Sequence, residues 1–141
     1  MNEPLHVALI RMQAKHQQVC REAFKELNLT DGQPKILLRL LKTDGLLQKD
    51  LSAQCGVMPA TMTSLLQNMV AAGLVEKREV RISGGKHGYQ IFLTDTGREA
   101  AGQVAGIMSQ VEERCYQGFS DKEKKRLVDY LNRCEQNLCN T

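Results

Sequence analysis

No run of apolar residues in this 141-residue sequence approaches the roughly 18 that a membrane-spanning helix needs. The first residues, "MNEPLHVALIRMQAKHQQ", mix charge into their apolar positions and do not read as a secretory signal. The five cysteines, at positions 20, 55, 115, 134 and 139, are odd in number and so do not form a closed disulfide framework. A cytoplasmic protein with reduced thiols is therefore expected. Charge of one sign is also scarce in excess: 19 Lys and Arg stand against 16 Asp and Glu, a net +3. That is too mild to argue for nucleic acid by itself, so the placement of charge matters more than its sum. Catalytic patterns are missing too. The three histidines (6, 16 and 87) are scattered, there is no nucleophile elbow, and no carboxylate pair stands out. The glycines of "SGGKHG" lack the GK[ST] ending of a phosphate-binding loop. An enzyme is not expected, and neither is a cofactor. With no linker, internal repeat or low-complexity segment, residues 1–141 are expected to form one domain.

What is present is mostly helical periodicity. Leu5, Ala8, Leu9, Met12, His16, Val19, Cys20, Ala23, Phe24 and Leu27 recur at helical spacing, predicting a long first helix from about Pro4 to Leu27. Thr30 and Gln33 have capping-box spacing, and Pro34 suits a first turn, so a second helix should run to about Lys42. "LLQKDLSAQCG" predicts a short third helix and "VMPATMTSLLQNMVAAG" a fourth, joined by the tight "CGVM" turn. The period then changes. "LVEKREVRI" and "YQIFLT", rich in β-branched and aromatic residues, predict a hairpin whose flexible tip is "SGGKHG". Thr94 should cap a fifth helix to about Gln117, and "SDKE" should open a sixth through about Leu138. The expected fold is mainly α: a winged helix-turn-helix over residues 33–94 with a two-stranded β-hairpin wing. Long helices in 1–30 and 95–141 flank it. Their apolar stripes lack an internal partner, and pairing across a two-fold axis would bury them.

The fourth helix carries the most informative pattern. Met62, Leu65, Leu66 and Met69 share one side, while Thr61, Thr63, Ser64, Gln67 and Asn68 lie on or beside the other. That outer side is neutral and polar throughout. Such groups suit base edges, since Gln and Asn can pair bidentately with adenine and hydroxyls serve bases or phosphates. An ordinary half-exposed helix is the plain alternative. The hairpin beside it carries Arg78, Arg81, Lys86 and His87, cations placed to meet backbone phosphates or the adjacent minor groove. Lys35 and Lys49, near helix starts, are weaker backbone candidates.

"LTDGQPKILLRLL" (29–41), "LLQKDLSAQCGVMPATMTSLLQNMVAAGLVEK" (46–77) and "IFLTDTGRE" (91–99) resemble the MarR family of bacterial transcriptional regulators. They match its "LT..Q" helix start, its helix-turn-helix ending in "GL(V/I)" and its "LT..G" motif after the wing. The resemblance implies a cytoplasmic homodimer, formed by the first and last two helices, on a roughly palindromic operator. It also implies release of DNA by a small-molecule effector or oxidant, hence a ligand-responsive repressor. The effector would enter a cleft between the dimerising helices and the DNA-binding block. The sequence departs from the family pattern at Ser64, where an Arg is usual. It departs again at Gln67 and Asn68, where an Asp-Arg pair is common, and at Gly85 and His87, which replace the wing's "D.R". These departures motivate an alternative: a winged-helix module that binds a protein partner and does not read DNA.

Peroxide-sensing relatives use a Cys near the start of the first helix, a place that falls near His6 in this sequence. Cys20 is the remaining candidate redox residue, although a buried cysteine is commonly just a small apolar side chain. His16 and Cys20, four apart on one helix face, could reach a common metal ion, but two ligands are too few for a structural zinc site and no metal is expected.

Overall fold

The computed structural model describes residues 2–139; Met1, Asn140 and Thr141, which the expected single domain includes, lie outside the described residues. In chain order it contains α1 (Leu5–Ala23), a 3-10 turn (Lys25–Leu27), α2 (Gln33–Lys42), β1 (Leu46–Leu47), α3 (Gln48–Cys55), α4 (Pro59–Ala71), β2 (Val75–Ile82), β3 (Lys86–Leu93), α5 (Asp95–Cys115) and α6 (Asp121–Cys139). The described helices and strands form the expected mainly helical, winged helix-turn-helix arrangement. The chain divides into two compact units, residues 1–108 and 109–141.

Three local expectations need correction. The first helix stops at Ala23, not Leu27; the chain tightens into the 3-10 turn, and Asn28 ends it in the left-handed region at φ 56°. Asn is among the few residues that tolerate that conformation. Leu46 and Leu47 do not begin the third helix. They form an edge strand paired antiparallel with Ile91 and Gln90, so the wing sheet has three strands in the order β1-β3-β2. The hairpin tip is also shorter than expected. Arg81 pairs with His87 and Ile82 with Lys86, leaving only Ser83, Gly84 and Gly85 in the turn. Gly84 and Gly85 take φ 87° and 76°, values that glycine reaches without Cβ strain.

In the first unit the core is built by helix-spaced side chains. Ile36, Leu37 and Leu40 of α2 pack with Leu51 of α3, Met62, Leu66 and Met69 of α4, Ile91 of β3 and Val104 of α5, all fully buried. The expected capping box at α2 is half formed: Gln33 Oε1 accepts from the Thr30 N–H at 3.1 Å, but Gly32 occupies the cap position without a side-chain bond.

The "LT..G" motif acts as a clasp between the wing, α4 and α5. The Thr94 hydroxyl accepts from the Gly97 N–H at 2.9 Å and donates to the Gly73 carbonyl just beyond α4 at 2.6 Å. The Thr94 N–H donates to the Leu74 carbonyl at 3.1 Å. A side chain at Gly97 would collide with that same Leu74 carbonyl, which explains the glycine. Asp44 adds a second brace, accepting from the Leu93 N–H at 2.9 Å and from Arg98 at 3.1 Å.

In the second unit, α6 begins with the reciprocal capping box expected from "SDKE". The Ser120 N–H donates to Glu123 Oε1 at 2.8 Å, and the Glu123 N–H donates to the Ser120 hydroxyl at 3.1 Å. Leu127, Leu131 and Leu138 on this helix are exposed. In the first unit α1 shows the same pattern: Leu5, Leu9 and Met12 are 57, 45 and 51% exposed. Helices striped with apolar side chains that stay in solvent lack the packing that normally stabilises them.

Candidate nucleic-acid interface

The outward face of α4 is set by what the helix buries. Met62, Leu66 and Met69 have no solvent exposure, and each such side chain contributes about 1.5–3 kcal/mol by burial. This fixes the rotation of the helix and turns Ala60, Thr61, Thr63, Ser64, Gln67, Asn68 and Ala71 to solvent. No residue of α4 is charged. The connection from α3 is tight: the Val57 N–H donates to the Ser52 carbonyl at 3.0 Å, so only residues 56–58 separate the two helices.

The five predicted contact residues are not equivalent. The Thr63 hydroxyl donates to the Pro59 carbonyl at 3.1 Å and accepts from Gln48 Nε2 at 3.2 Å. Thr63 thus braces α4 against the first residue of α3, a role for Gln48 that sequence spacing did not show. No such bond engages the side chains of Thr61, Ser64, Gln67 or Asn68 among the described residues, and all four are exposed.

The wing's cations separate by strand register. Lys77, Glu79 and Arg81 share one face of the sheet with His87 and Tyr89, and Glu76, Arg78 and Lys86 lie on the other. Arg78 pairs with Glu76 at 3.3 Å and stacks over Phe92 at 4.2 Å; His87 Nδ1 lies 3.2 Å from Glu79, and Lys77 sits 4.5 Å above the Tyr89 ring. Arg81 and Lys86 are exposed next to the turn and enter no ion pair with a described residue. They are the wing's two available cations.

A groove of about 420 Å³ joins the helix pair to the wing. Lys49, Thr63 and His87 line it with Gln48, Lys77 and Tyr89. Lys35 stands apart from them, in a second cleft of about 320 Å³ whose walls include His16, Cys20, Phe24, Asp31, Leu38 and Met108. At its edge Arg21 forms a two-point contact with Asp31, at 3.2 and 2.9 Å. The hydrogen bond from Arg21 holds the Asp31 carboxyl below the usual carboxylate range and raises the guanidinium. Cys55 nearby is pushed up by burial, partly offset by Arg39 and Lys35. Gly32, in the wall of the same cleft, approaches Leu65 of α4 so closely that a Cβ would stand 2.9 Å from Leu65 Cδ1. Among the described residues no three of His, Cys, Asp and Glu converge on a point that could hold a metal ion, and no helix is long and apolar enough to cross a membrane.

Residues 27–81, which hold the helix-turn-helix and most of β2, match the MarR family model. Over 92% of its length the chain is 26% identical to the HTH-type transcriptional regulator BilQ of Clostridioides difficile, covering 86% of that protein. A MarR protein from Peptoclostridium difficile superimposes with a TM-score of 0.85 at 25% identity, over 98% of this chain and 89% of the other. The chain resembles MarR family proteins in its helix-turn-helix sequence and in its fold. A MarR family regulator from Listeria monocytogenes, solved with a 26mer DNA, has the same fold, with a TM-score of 0.82 at 24% identity over 98% of this chain and 90% of that one. The BilQ relative is a transcriptional regulator, and this chain has the fold of MarR proteins. The family motifs have physical roles in it: "LT..G" forms the Thr94 clasp, and the "LT..Q" glutamine ties Thr30 to the start of α2.

Proposed function

We propose that the protein is a DNA-binding transcriptional regulator that acts as a homodimer on a roughly palindromic operator. The observation that carries this reading is a division of labour in one unit. The exposed face of α4 offers Thr61, Ser64, Gln67 and Asn68 without a charge, while the neighbouring wing holds Arg81 and Lys86 outside any described ion pair. In the major groove, α4 reads base edges through Gln67, Asn68, Ser64 and Thr61. The wing meets phosphates or the minor groove through Arg81 and Lys86, with Arg78 and His87 first leaving Glu76 and Glu79. Lys49 is a backbone contact at the start of α3. The Listeria protein of the same fold was solved with a 26mer DNA, which supports DNA as the ligand.

Dimerisation covers the apolar stripes of α1 and α6, and a two-fold axis sets the two copies of α4 about 34 Å apart, one turn of DNA. The cleft beside Lys35 is the place for a small effector, because its wall touches α4 through Gly32 and Leu65. Release of DNA on effector binding makes the protein a ligand-responsive repressor.

The test is selection of a duplex from random sequence, followed by fluorescence anisotropy at two salt concentrations. A selected site with two-fold symmetry, bound less tightly at higher salt, supports the reading. If no duplex is bound above background at low salt and a protein partner binds α4 instead, the interaction-module alternative replaces it.

A further inference from the structure

The residue that opens α4 neither caps the helix nor packs beneath it. Met58 holds the cap position with extended backbone angles, φ −63° and ψ 143°, and its carbonyl accepts from the Met62 N–H at 2.9 Å. Ser, Thr, Asp or Asn at such a position bonds a free N–H of the first turn. A thioether does not do this, and no side-chain bond caps α4.

A core role does not explain Met58 either. An unbranched apolar side chain ordinarily fills an interior gap. Val57 before it is half-buried against the core, and Met62 after it is fully buried. Met58 itself is 72% exposed, the most exposed large apolar side chain of residues 33–94. Pro59, Ala60 and Thr61 next to it are exposed as well, and α4 carries no charge. The start of α4 is thus an apolar tip on a face that is otherwise polar and neutral.

The groups available to such a tip are few, given the DNA-binding reading above, on which this inference rests. A helix in the major groove presents its N-terminal residues to base edges. Those edges offer hydrogen-bond donors, acceptors and one apolar group, the C5 methyl of thymine. Methionine has no donor and only a weak acceptor, so the polar edges give it little. The thymine methyl is the group against which its exposed surface can be buried. Gln67 lies nine residues further on, about 13 Å along the helix, so the two side chains meet different base pairs.

We propose that Met58 is a specificity-determining residue that packs against a thymine methyl where the start of α4 meets the operator.

Deoxyuridine is the probe, because it pairs as thymidine does and lacks only the methyl. Full-length protein is titrated by fluorescence anisotropy against a duplex selected from random sequence, with each thymine replaced in turn. One replacement should weaken the parent about fourfold, the worth of one buried methyl. Met58→Ala should bind the thymine and uracil duplexes alike, so that the two changes together cost no more than either alone. Met58→Leu should keep most of the preference. Met58→Ser should lose it while gaining a helix cap, which raises the folding constant about fivefold; lost discrimination in a more stable protein separates contact from folding. If the parent binds the selected duplex but no thymine couples to Met58, the inference is overturned and the DNA-binding reading stands. If no duplex is bound at low salt, that reading fails and the inference fails with it.

Discussion

Replacing Thr94 by Ala should cost more than removing any ordinary helix cap, because its hydroxyl serves two elements at once. As the cap of α5 it accepts from the Gly97 N–H at 2.9 Å, and loss of such a cap costs about 1 kcal/mol. As a donor to the Gly73 carbonyl at 2.6 Å it contributes about another 1 kcal/mol. The total, about 2 kcal/mol, corresponds to a fall in melting temperature of about 6–8 °C for a chain of this size. Ser120→Ala supplies the comparison, since that residue caps α6 and its hydroxyl makes no second bond among the described residues; its cost is about 1 kcal/mol. Thr94→Ser keeps both bonds and should lose little. Urea unfolding of the three variants, with midpoint and slope fitted together, measures the differences. The reasoning fails if Thr94→Ala is no worse than Ser120→Ala, or if Thr94→Ser is as damaging as Thr94→Ala.

Three further outcomes follow from the geometry. Leu131→Glu, on the exposed stripe of α6, should shift the sedimenting species from dimer to monomer while leaving helical circular dichroism near the parent value; an unchanged dimer would exclude that stripe from the interface. Asp31 is held ionised by Arg21, so its folded pKa lies below its unfolded one, and its contribution is present above the unfolded value and lost as pH falls through the folded value. The stability difference between parent and Asp31→Asn should therefore disappear in acid, and it should shrink with added salt because both groups are exposed. Cys55, whose thiol is raised by burial, should react with iodoacetamide at neutral pH more slowly than exposed Cys115, a ratio that mass spectrometry reads directly.

The parts of this fold legible in the sequence are those decided within a few residues. The Ser120–Glu123 box and the Thr94 cap involve partners three positions apart, and both form as their spacing implies. The buried side of α4 follows from helical period alone. What escaped depends on distant partners. Leu46 and Leu47 are strand residues only because Ile91 and Gln90 are beside them, and nothing local distinguishes them from a helix start. "SGGKHG" reads as a long loose tip by composition, yet two positive-φ glycines suffice to reverse the chain, and Lys86 and His87 are drawn into the sheet. The difference bears on function: a paired strand holds Arg81 and Lys86 in fixed positions on opposite faces. On the candidate interface, side-chain type pointed to Thr63 and Gln67 alike. Only the fold separates Thr63, braced by Gln48, from Gln67 on the open face. The Arg78–Glu76 and His87–Glu79 contacts were hidden for the same reason, since they depend on register.

The central claim is that α4 reads bases while the wing supplies charge. The direct test compares Gln67→Ala with the double change of Arg81 and Lys86 to Ala, each titrated against a selected duplex and a scrambled one across a salt series. The account predicts that the wing variant weakens both duplexes alike and flattens the salt dependence by about two phosphate contacts. Gln67→Ala should leave that slope unchanged and lose about 1–3 kcal/mol of discrimination at one or two base pairs. If Gln67→Ala weakens both duplexes equally, or if the wing variant keeps the parent slope, the assignment of roles is contradicted.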